Sequence, residues 1–402
     1  MAMAMAMAMG GSCRMRPPFS RIRVTSHLIS SMIQTFFFKP TKNITVSHPH
    51  FIASSSFSSS VSPISTSSFS PISHKPQIPL FLRPLIYSTT LLDLHNFFVW
   101  AKTLASSVGS TFVEIDNGPD SSLLLRELNW FLEDTIQDSS LISHLGTSQI
   151  DGLSSKTVGL RASLDQMYKL WQQRIEERRP FQYIVGCEHW RDLLLSVEEG
   201  VLIPRPETEK IVTLVEDVVC TNEALKEGIW ADLGTGSGAL AIAISRILGN
   251  SGRVFAIDLS PIAVSVASYN VERYALQDVI KVKQGSWFEP LMEFEGQLAG
   301  LVSNPPYIPS EDINGLQAEV GKYEPVLALD GGVEGMDSLF HICSTMSIML
   351  KPGGFFVFET NGVKQCQVLA DYLQNATGNG FCDVTIVPDF AGVRRFVIGH
   401  RR

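Results

Sequence analysis

The sequence predicts an α/β protein in which a seven-stranded, mostly parallel sheet covered by helices follows a small helical domain. Three observations lead there. From Ile229 onward short apolar runs alternate with helical stretches; from Asp93 to about Arg179 apolar residues keep a helical spacing; and the first 92 residues have the composition of neither. The strand candidates are Ile229–Leu233, Val254–Ile257, Ile280–Val282, Leu298–Val302, Phe355–Phe358, Val384–Val387 and Arg395–Ile398. Helical stretches at Ser237–Leu248, Pro261–Tyr274, Asp337–Leu350 and Val363–Leu373 separate most of them. Such alternation, with short fully apolar strands, implies a parallel sheet buried on both faces. A short turn near Asp389–Gly392 between the last two strands points to one antiparallel strand at the edge.

The N-terminal stretch, residues 1–92, contains no Asp or Glu, while Arg14, Arg16, Arg21, Arg23, Lys39, Lys42, Lys75 and Arg83 make it basic. It is rich in serine around Ser54–Ser60 and Ser62–Ser73. Basic, hydroxylated and acid-poor composition is that of an organelle transit peptide, read unfolded by an anionic receptor. The Met-Ala start and the serine density favour the chloroplast stroma, with the mitochondrial matrix as alternative. A disordered tail without an address is the plainer reading. The remaining residues hold 24 basic against 40 acidic side chains, a balance of −16. That balance argues against holding nucleic acid by phosphate neutralisation. No run of about 18 apolar residues occurs, so a spanning helix is not expected.

Residues 93–179 read as the helical domain, with Leu123, Leu124, Leu128, Phe131 and Leu132, then Leu164, Met167, Leu170 and Trp171, at three- and four-residue spacing and no strand between. Residues 180–209 read as a β-hairpin-like connector: strands at Phe181–Gly186 and Leu193–Val197, then a stiff Val201-Leu-Ile-Pro-Arg-Pro-Glu-Thr-Glu209 whose two prolines bar a helix. A helix follows from about Lys210, opening residues 210–402 as the main domain. Five cysteines after residue 92 (Cys187, Cys220, Cys343, Cys366, Cys382) are widely spaced with no C-x-x-C pair, so neither a disulfide framework nor a metal site is indicated and small buried hydrophobes are expected.

The sharpest motif is Ala231-Asp-Leu-Gly-Thr-Gly-Ser-Gly238, after a strand and before a helix. Its glycines permit close backbone approach to a ligand, and the helix start offers unpaired N–H groups. Twenty residues beyond Gly238 lies Asp258, at a strand end where a carboxylate can accept a ribose diol. The pattern alone suits either a nicotinamide dinucleotide or S-adenosylmethionine. Asp232, able to face a methionyl amino group, and Gly238, a third position of close approach, tilt it to the latter. Trp287, in Gln284-Gly-Ser-Trp-Phe288, can cover an adenine face or be an ordinary core residue.

The fourth strand ends in Asn304-Pro-Pro-Tyr307. Methylating a planar NH2 is hard because its lone pair is delocalised. The Asn304 carboxamide oxygen can take one N–H, the Pro305 carbonyl held by Pro306 the other, and Tyr307 can pack on the flat face. Positioning of this kind can lower a barrier by up to ~7–11 kcal/mol without an ionised base. Glu207 and Glu209 can face the cofactor pocket or simply favour a helix N-terminus.

These segments, with Arg179-Pro-Phe-Gln-Tyr-Ile-Val-Gly186, Leu202-Ile-Pro-Arg-Pro-Glu-Thr-Glu209, Tyr323-Glu-Pro-Val-Leu-Ala-Leu-Asp-Gly-Gly332, Leu350-Lys-Pro-Gly-Gly354 and Asp389-Phe-Ala-Gly392 followed by Arg395, resemble the HemK/PrmC family. Its members methylate the glutamine of the Gly-Gly-Gln tripeptide in peptide chain release factors. The resemblance runs from about residue 180 to the end and less distinctly before. It implies a class I S-adenosylmethionine-dependent methyltransferase domain of Rossmann-like fold. By this likeness Asp232, Gly234, Thr235, Gly236, Ser237, Gly238, Asp258, Trp287 and Asn304 hold S-adenosylmethionine. Asn304, Pro305, Pro306 and Tyr307 receive the glutamine, and the helical domain helps recognise the factor. Gln182 and Glu359-Thr-Asn361 depart from the family pattern. The expectation is a monomeric enzyme acting on an organellar class I release factor, without direct nucleic acid or membrane contact. The Asn-Pro-Pro-Tyr motif is shared with adenine-N6 DNA methyltransferases, which makes a nucleic-acid adenine methyltransferase the alternative; a non-catalytic assembly factor on the same fold is a third reading.

Overall fold

A computed structural model describes residues 74–146, 156–376 and 380–402. Most of the acid-free leader, including both serine-rich runs, lies outside the described residues.

The helical domain starts earlier than composition indicates. Strand β1 (Tyr87–Thr90) leads into α1 (Leu91–Ser107), α2 (Thr111–Asp116), α3 (Ser121–Thr135), β2 (Thr157–Leu160) and α4 (Leu164–Gln172). The boundary at residue 92 is thus too late, because Leu80, Leu91 and Leu94 are fully buried in the same core as Phe97, Phe131 and Trp171. The region is not free of strands either: β1 and β2 pair antiparallel, Tyr87 opposite Leu160 and Thr90 opposite Thr157. Strands this short, half of them polar, carry no readable alternation. The helices begin where the sequence supplies caps. Thr90 accepts the Asp93 N–H, and Ser163 with Gln166 forms a reciprocal capping box.

In the connector, Phe181-Gln-Tyr-Ile-Val185 is a helical turn, α5, not a strand. Pro180 starts it and Gly186, at φ 76°, closes it in the left-handed region. Phe181, Tyr183, Ile184 and Val185 are all buried, so neither period shows in the sequence. The hairpin itself is β3 (Cys187–Trp190) and β4 (Leu193–Ser196), followed by α6 (Glu209–Thr221) and α7 (Glu223–Lys226).

The main domain continues with β5 (Ile229–Leu233), α8 (Ala239–Leu248), β6 (Arg253–Asp258), α9 (Pro261–Arg273), β7 (Ile280–Gln284), β8 (Leu298–Ser303), α10 (Ala318–Tyr323), α11 (Asp337–Met349), β9 (Leu350–Glu359), α12 (Val363–Asp371), β10 (Phe381–Pro388) and β11 (Arg394–Arg401). The sheet order is β10-β11-β9-β8-β5-β6-β7. The first five strands of the domain run parallel, and β11 pairs antiparallel with both β9 and β10. The antiparallel strand is therefore one place in from the edge. Phe396 and Val397 of β11 are fully buried, whereas β10 buries only Phe381, which makes β10 the tolerable edge.

Alternate residues of the central strands feed opposite cores, as the two-residue repeat of a strand requires. Trp230, Val302, Phe355 and Val357 pack under α6 and α8, while Ala231, Leu301, Phe356 and Phe358 pack under α11 and α12. Gly300 lies against the Trp230 ring, so close that a Cβ there would stand 2.2 Å from it. Among the cysteines, Cys187, Cys343 and Cys366 are buried as expected, but Cys220 is exposed on the polar side of α6.

Candidate active site

Strand order reverses at β5: the chain passes from β5 to β6 on one side and returns to β8 on the other. Loops at the carboxyl ends of such a pair border a crevice. Register makes the crevice narrow. Leu233 pairs with Ser303, and the Ser303 hydroxyl donates to the Leu233 carbonyl at 2.6 Å. Gly234 and Asn304 therefore leave neighbouring strands at the same level. A Cβ placed on Gly234 would lie 3.9 Å from the Asn304 carbonyl oxygen and 3.8 Å from the Trp287 ring. The glycine loop, tetrapeptide and tryptophan picked from sequence thus meet at the carboxyl end of β5 and β8.

The loop turns through three left-handed glycines, Gly234, Gly236 and Gly238, at φ 75°, 55° and 85°. Nothing stands within 4 Å of a Cβ on Gly236, whereas Gly238 faces Ala267 of α9 at 3.4 Å. Gly238 thus also serves the turn and the packing of two helices.

Asp232 is fully buried. Its Oδ2 accepts the Thr235 hydroxyl at 2.6 Å and the Ala241 N–H at 3.0 Å. Its Oδ1 and the Ser237 hydroxyl have no hydrogen-bond partner among the described residues. A buried oxygen without a partner is costly, so a donor is owed there. Burial, reinforced by the nearby Asp258 charge and opposed by the two hydrogen bonds, pushes the Asp232 carboxyl up to about 7. A cationic amino group fits this position; a pyrophosphate does not. Asp258 ties the two strand ends together by accepting the Gly236 N–H at 2.8 Å and the Ser260 N–H at 2.9 Å. A carboxylate has about four acceptor positions, and with the Leu259 backbone also hydrogen-bonded to it one remains for a ribose hydroxyl. Burial raises its pKa as well. The residues present therefore fit S-adenosylmethionine, with ammonium at Asp232 and ribose at Asp258.

Around the tetrapeptide the structure adds two side chains not assigned from sequence. Asn304 Nδ2 donates to the Thr208 hydroxyl at 3.1 Å, and Thr208 donates to Glu359 Oε2 at 2.7 Å. The Tyr307 hydroxyl donates to the other oxygen of Glu359 at 3.1 Å. With Nδ2 engaged, Asn304 Oδ1 is the atom left to accept a hydrogen bond. Burial and the Glu359 charge hold Tyr307 well above the ordinary phenol range, so it stays a neutral donor. Behind the tetrapeptide, Ile308 exchanges hydrogen bonds with Leu329 and Gly331, and Gln365 donates to the Tyr307 carbonyl. Gly331 must be glycine, since a Cβ there would meet the Pro306 carbonyl oxygen at 2.7 Å.

Glu209 accepts the Arg191 N–H at 3.2 Å and so holds the β3–β4 turn, while Glu207 lies near enough to raise the pKa of both Tyr307 and Glu359. The helical domain grips the segment after the tetrapeptide. Arg174 bridges Glu127 and Glu319, Arg178 bridges Asp116 and Glu319, and Arg205 of the connector pairs with Glu324 at 2.6 Å.

A seven-stranded sheet with this order, a glycine loop bearing a buried carboxylate oxygen unpaired among the described residues, and an Asn-Pro-Pro-Tyr tetrapeptide at the next strand end define a class I S-adenosylmethionine-dependent methyltransferase. The profile of the family described as "Ribosomal protein L11 methyltransferase (PrmA)" matches residues 206–304, the stretch from connector to Asn304. Over a longer span the chain is 40% identical to the release factor glutamine methyltransferase of Thermosynechococcus vestitus, covering 60% of this chain and 81% of that one. It is 37% identical to that of Synechocystis, covering 67% and 88%, and 41% identical to that of Gloeobacter violaceus, covering 60% and 80%. The chain belongs to the release factor glutamine methyltransferase family.

Proposed function

We propose that the chain methylates the side-chain amide nitrogen of the glutamine in the Gly-Gly-Gln tripeptide of an organellar class I release factor, acting as a monomer without direct nucleic acid contact. The observation that carries this reading is the orientation of Asn304, whose nitrogen is engaged by Thr208 and whose Oδ1 accepts no hydrogen bond among the described residues. An acceptor pair made of that oxygen and the Pro305 carbonyl suits the two N–H bonds of a primary amide. When bound, S-adenosylmethionine supplies an electrophilic methyl group on a sulfonium sulfur. Asn304 and Pro305 hold the amide plane so that its nitrogen electrons face that methyl, and Tyr307, fixed by Glu359, covers the flat face. No side chain need remove a proton first, because the nitrogen becomes acidic only on gaining the methyl and then gives up one proton to water. Asp232, Thr235, Gly234, Gly236, Asp258 and Trp287 hold the cofactor, with Trp287 against the adenine.

The acid-free leader supports organelle import, and the cyanobacterial relatives favour the chloroplast stroma over the mitochondrial matrix. The adenine-N6 alternative shares the amide clamp, but the −16 balance of residues 93–402 disfavours a phosphate-binding groove. Mass spectrometry of plastid and mitochondrial release factors incubated with the enzyme tests the proposal. One added methyl on the tripeptide glutamine is expected; a mass shift that survives replacement of that glutamine, or faster transfer to an adenine oligonucleotide, overturns it.

A further inference from the structure

We infer that Thr208 and Glu359 are positioning residues that decide which way round the Asn304 carboxamide stands, and hence whether the site presents an acceptor or a donor to the substrate amide. The inference rests on the glutamine methyltransferase reading and deepens it.

An asparagine side chain is nearly symmetric in shape, so packing alone does not choose between its oxygen and its nitrogen; hydrogen-bond partners must. Here the choice runs back through three links. An ionised carboxylate only accepts, so Glu359 obliges both Thr208 and Tyr307 to donate to it. A threonine hydroxyl has one proton. Once that proton is given to Glu359, only lone pairs remain toward Asn304, and only the NH2 end can meet them, as observed at 3.1 Å. Oδ1 is thereby turned to the cleft. With the order reversed, the cleft would hold an NH2 facing another NH2, and the clamp would lose one of its two acceptors.

The placement is unusually committed. Thr208 and Glu359 are both buried, 5% and 1% exposed, on the connector and at the end of β9. The fixed Pro204-Arg-Pro206 run delivers Thr208 to the tetrapeptide across 96 residues of sequence. The groups facing Glu359 are Thr208 and Tyr307 as donors, Glu207 as a like charge and Arg395 as a counter-charge. Arg395 is itself held by Asp389 at 2.7 Å. Burial and Glu207 outweigh the rest and push the Glu359 carboxyl up to about 7. Protonation lets Glu359 donate, freeing the Thr208 proton to turn toward Asn304.

The test compares Thr208→Val, Thr208→Ser and Glu359→Gln at saturating S-adenosylmethionine, with release factor as substrate. Thr208→Val, similar in shape but unable to accept, is expected to lower kcat by about 30- to 100-fold while leaving cofactor Kd within about twofold. Thr208→Ser, which keeps the hydroxyl, is expected to stay within about threefold of the parent. The parent kcat should fall as pH drops through about 7, and Glu359→Gln should lose that limb. In parallel, the Asn304 side-chain NH2 is followed by NMR, identified by its absence in Asn304→Ala; its exchange should be slow in the parent and in Thr208→Ser and fast in Thr208→Val. Parent-like kcat and exchange in Thr208→Val, or equal damage in Thr208→Ser, overturns the inference. A parent enzyme inactive on release factor would refute the substrate reading instead, and the exchange measurement still decides the orientation.

Discussion

Asp232 offers a prediction whose size follows from the structure. Its carboxyl is fully buried, one oxygen has no partner among the described residues, and its pKa stands at about 7, above the ordinary 3.8. In the free enzyme the neutral acid is therefore the major form below about pH 7, whereas an ammonium at Oδ1 favours the anion. Binding must then release a proton below pH 7, and affinity must rise with pH, because the binding-competent anion becomes more populated. From the value of about 7, the ionised fraction grows from roughly 0.1 at pH 6 to roughly 0.75 at pH 7.5, which by itself tightens Kd about eightfold. An α-amino group with a pKa of about 7.7–8.0 has lost roughly a third of its charge by pH 7.5, which trims the net tightening to about five- to sixfold. Calorimetric titration with S-adenosylhomocysteine, in two buffers of different ionisation enthalpy, reads both Kd and the proton released. Asp232→Asn should bind more weakly and show no such slope. A parent Kd that stays flat between these pH values, or an equal slope in Asp232→Asn, would show that this carboxylate does not meet the amino group.

Further outcomes follow from other parts of the site. Asn304→Ala should lower kcat by at least ~100-fold with cofactor Kd nearly unchanged, since it acts on alignment; single-turnover kinetics and calorimetry together check the split. Trp287→Ala should weaken S-adenosylhomocysteine by about 2- to 12-fold, the equivalent of ~0.5–1.5 kcal/mol of ring contact, as read by calorimetry. Glu319→Ala removes the carboxylate shared by Arg174 and Arg178. Because both arginines keep one acidic partner, Glu127 and Asp116, the loss of stability should sit near ~3 kcal/mol, the lower end for a broken buried pair; urea unfolding measures it, and a loss under ~1 kcal/mol would contradict the grip described.

What could be read from sequence was local. Asp232, the glycines and Asn304-Pro-Pro-Tyr307 carry their chemistry within a few residues of a strand end, and the seven-strand alternation placed those ends on one side of a sheet. What escaped was set by partners distant in sequence. The Thr208–Glu359 contact spans 151 residues, and no periodicity signals it, although both residues sit in segments that stand out by composition or by departure from pattern. Phe181–Val185 passed for a strand because its residues are β-formers; burial on all sides, with Pro180 before and Gly186 after, makes it a helical turn. The place of β11 inside β10 escaped as well, the antiparallel strand having been expected at the edge, since a hairpin fixes relative direction but not which arm meets β9.

The central claim is geometric, and one structure tests it most directly: the enzyme crystallised with S-adenosylhomocysteine and a release factor whose Gly-Gly-Gln loop is intact. The glutamine amide nitrogen is expected between Asn304 Oδ1 and the Pro305 carbonyl, at hydrogen-bonding distance of about 2.7–3.2 Å from each, with its open face toward the sulfur. A glutamine bound away from Asn304, or an Asn304 turned so that its nitrogen faces the substrate, would contradict it.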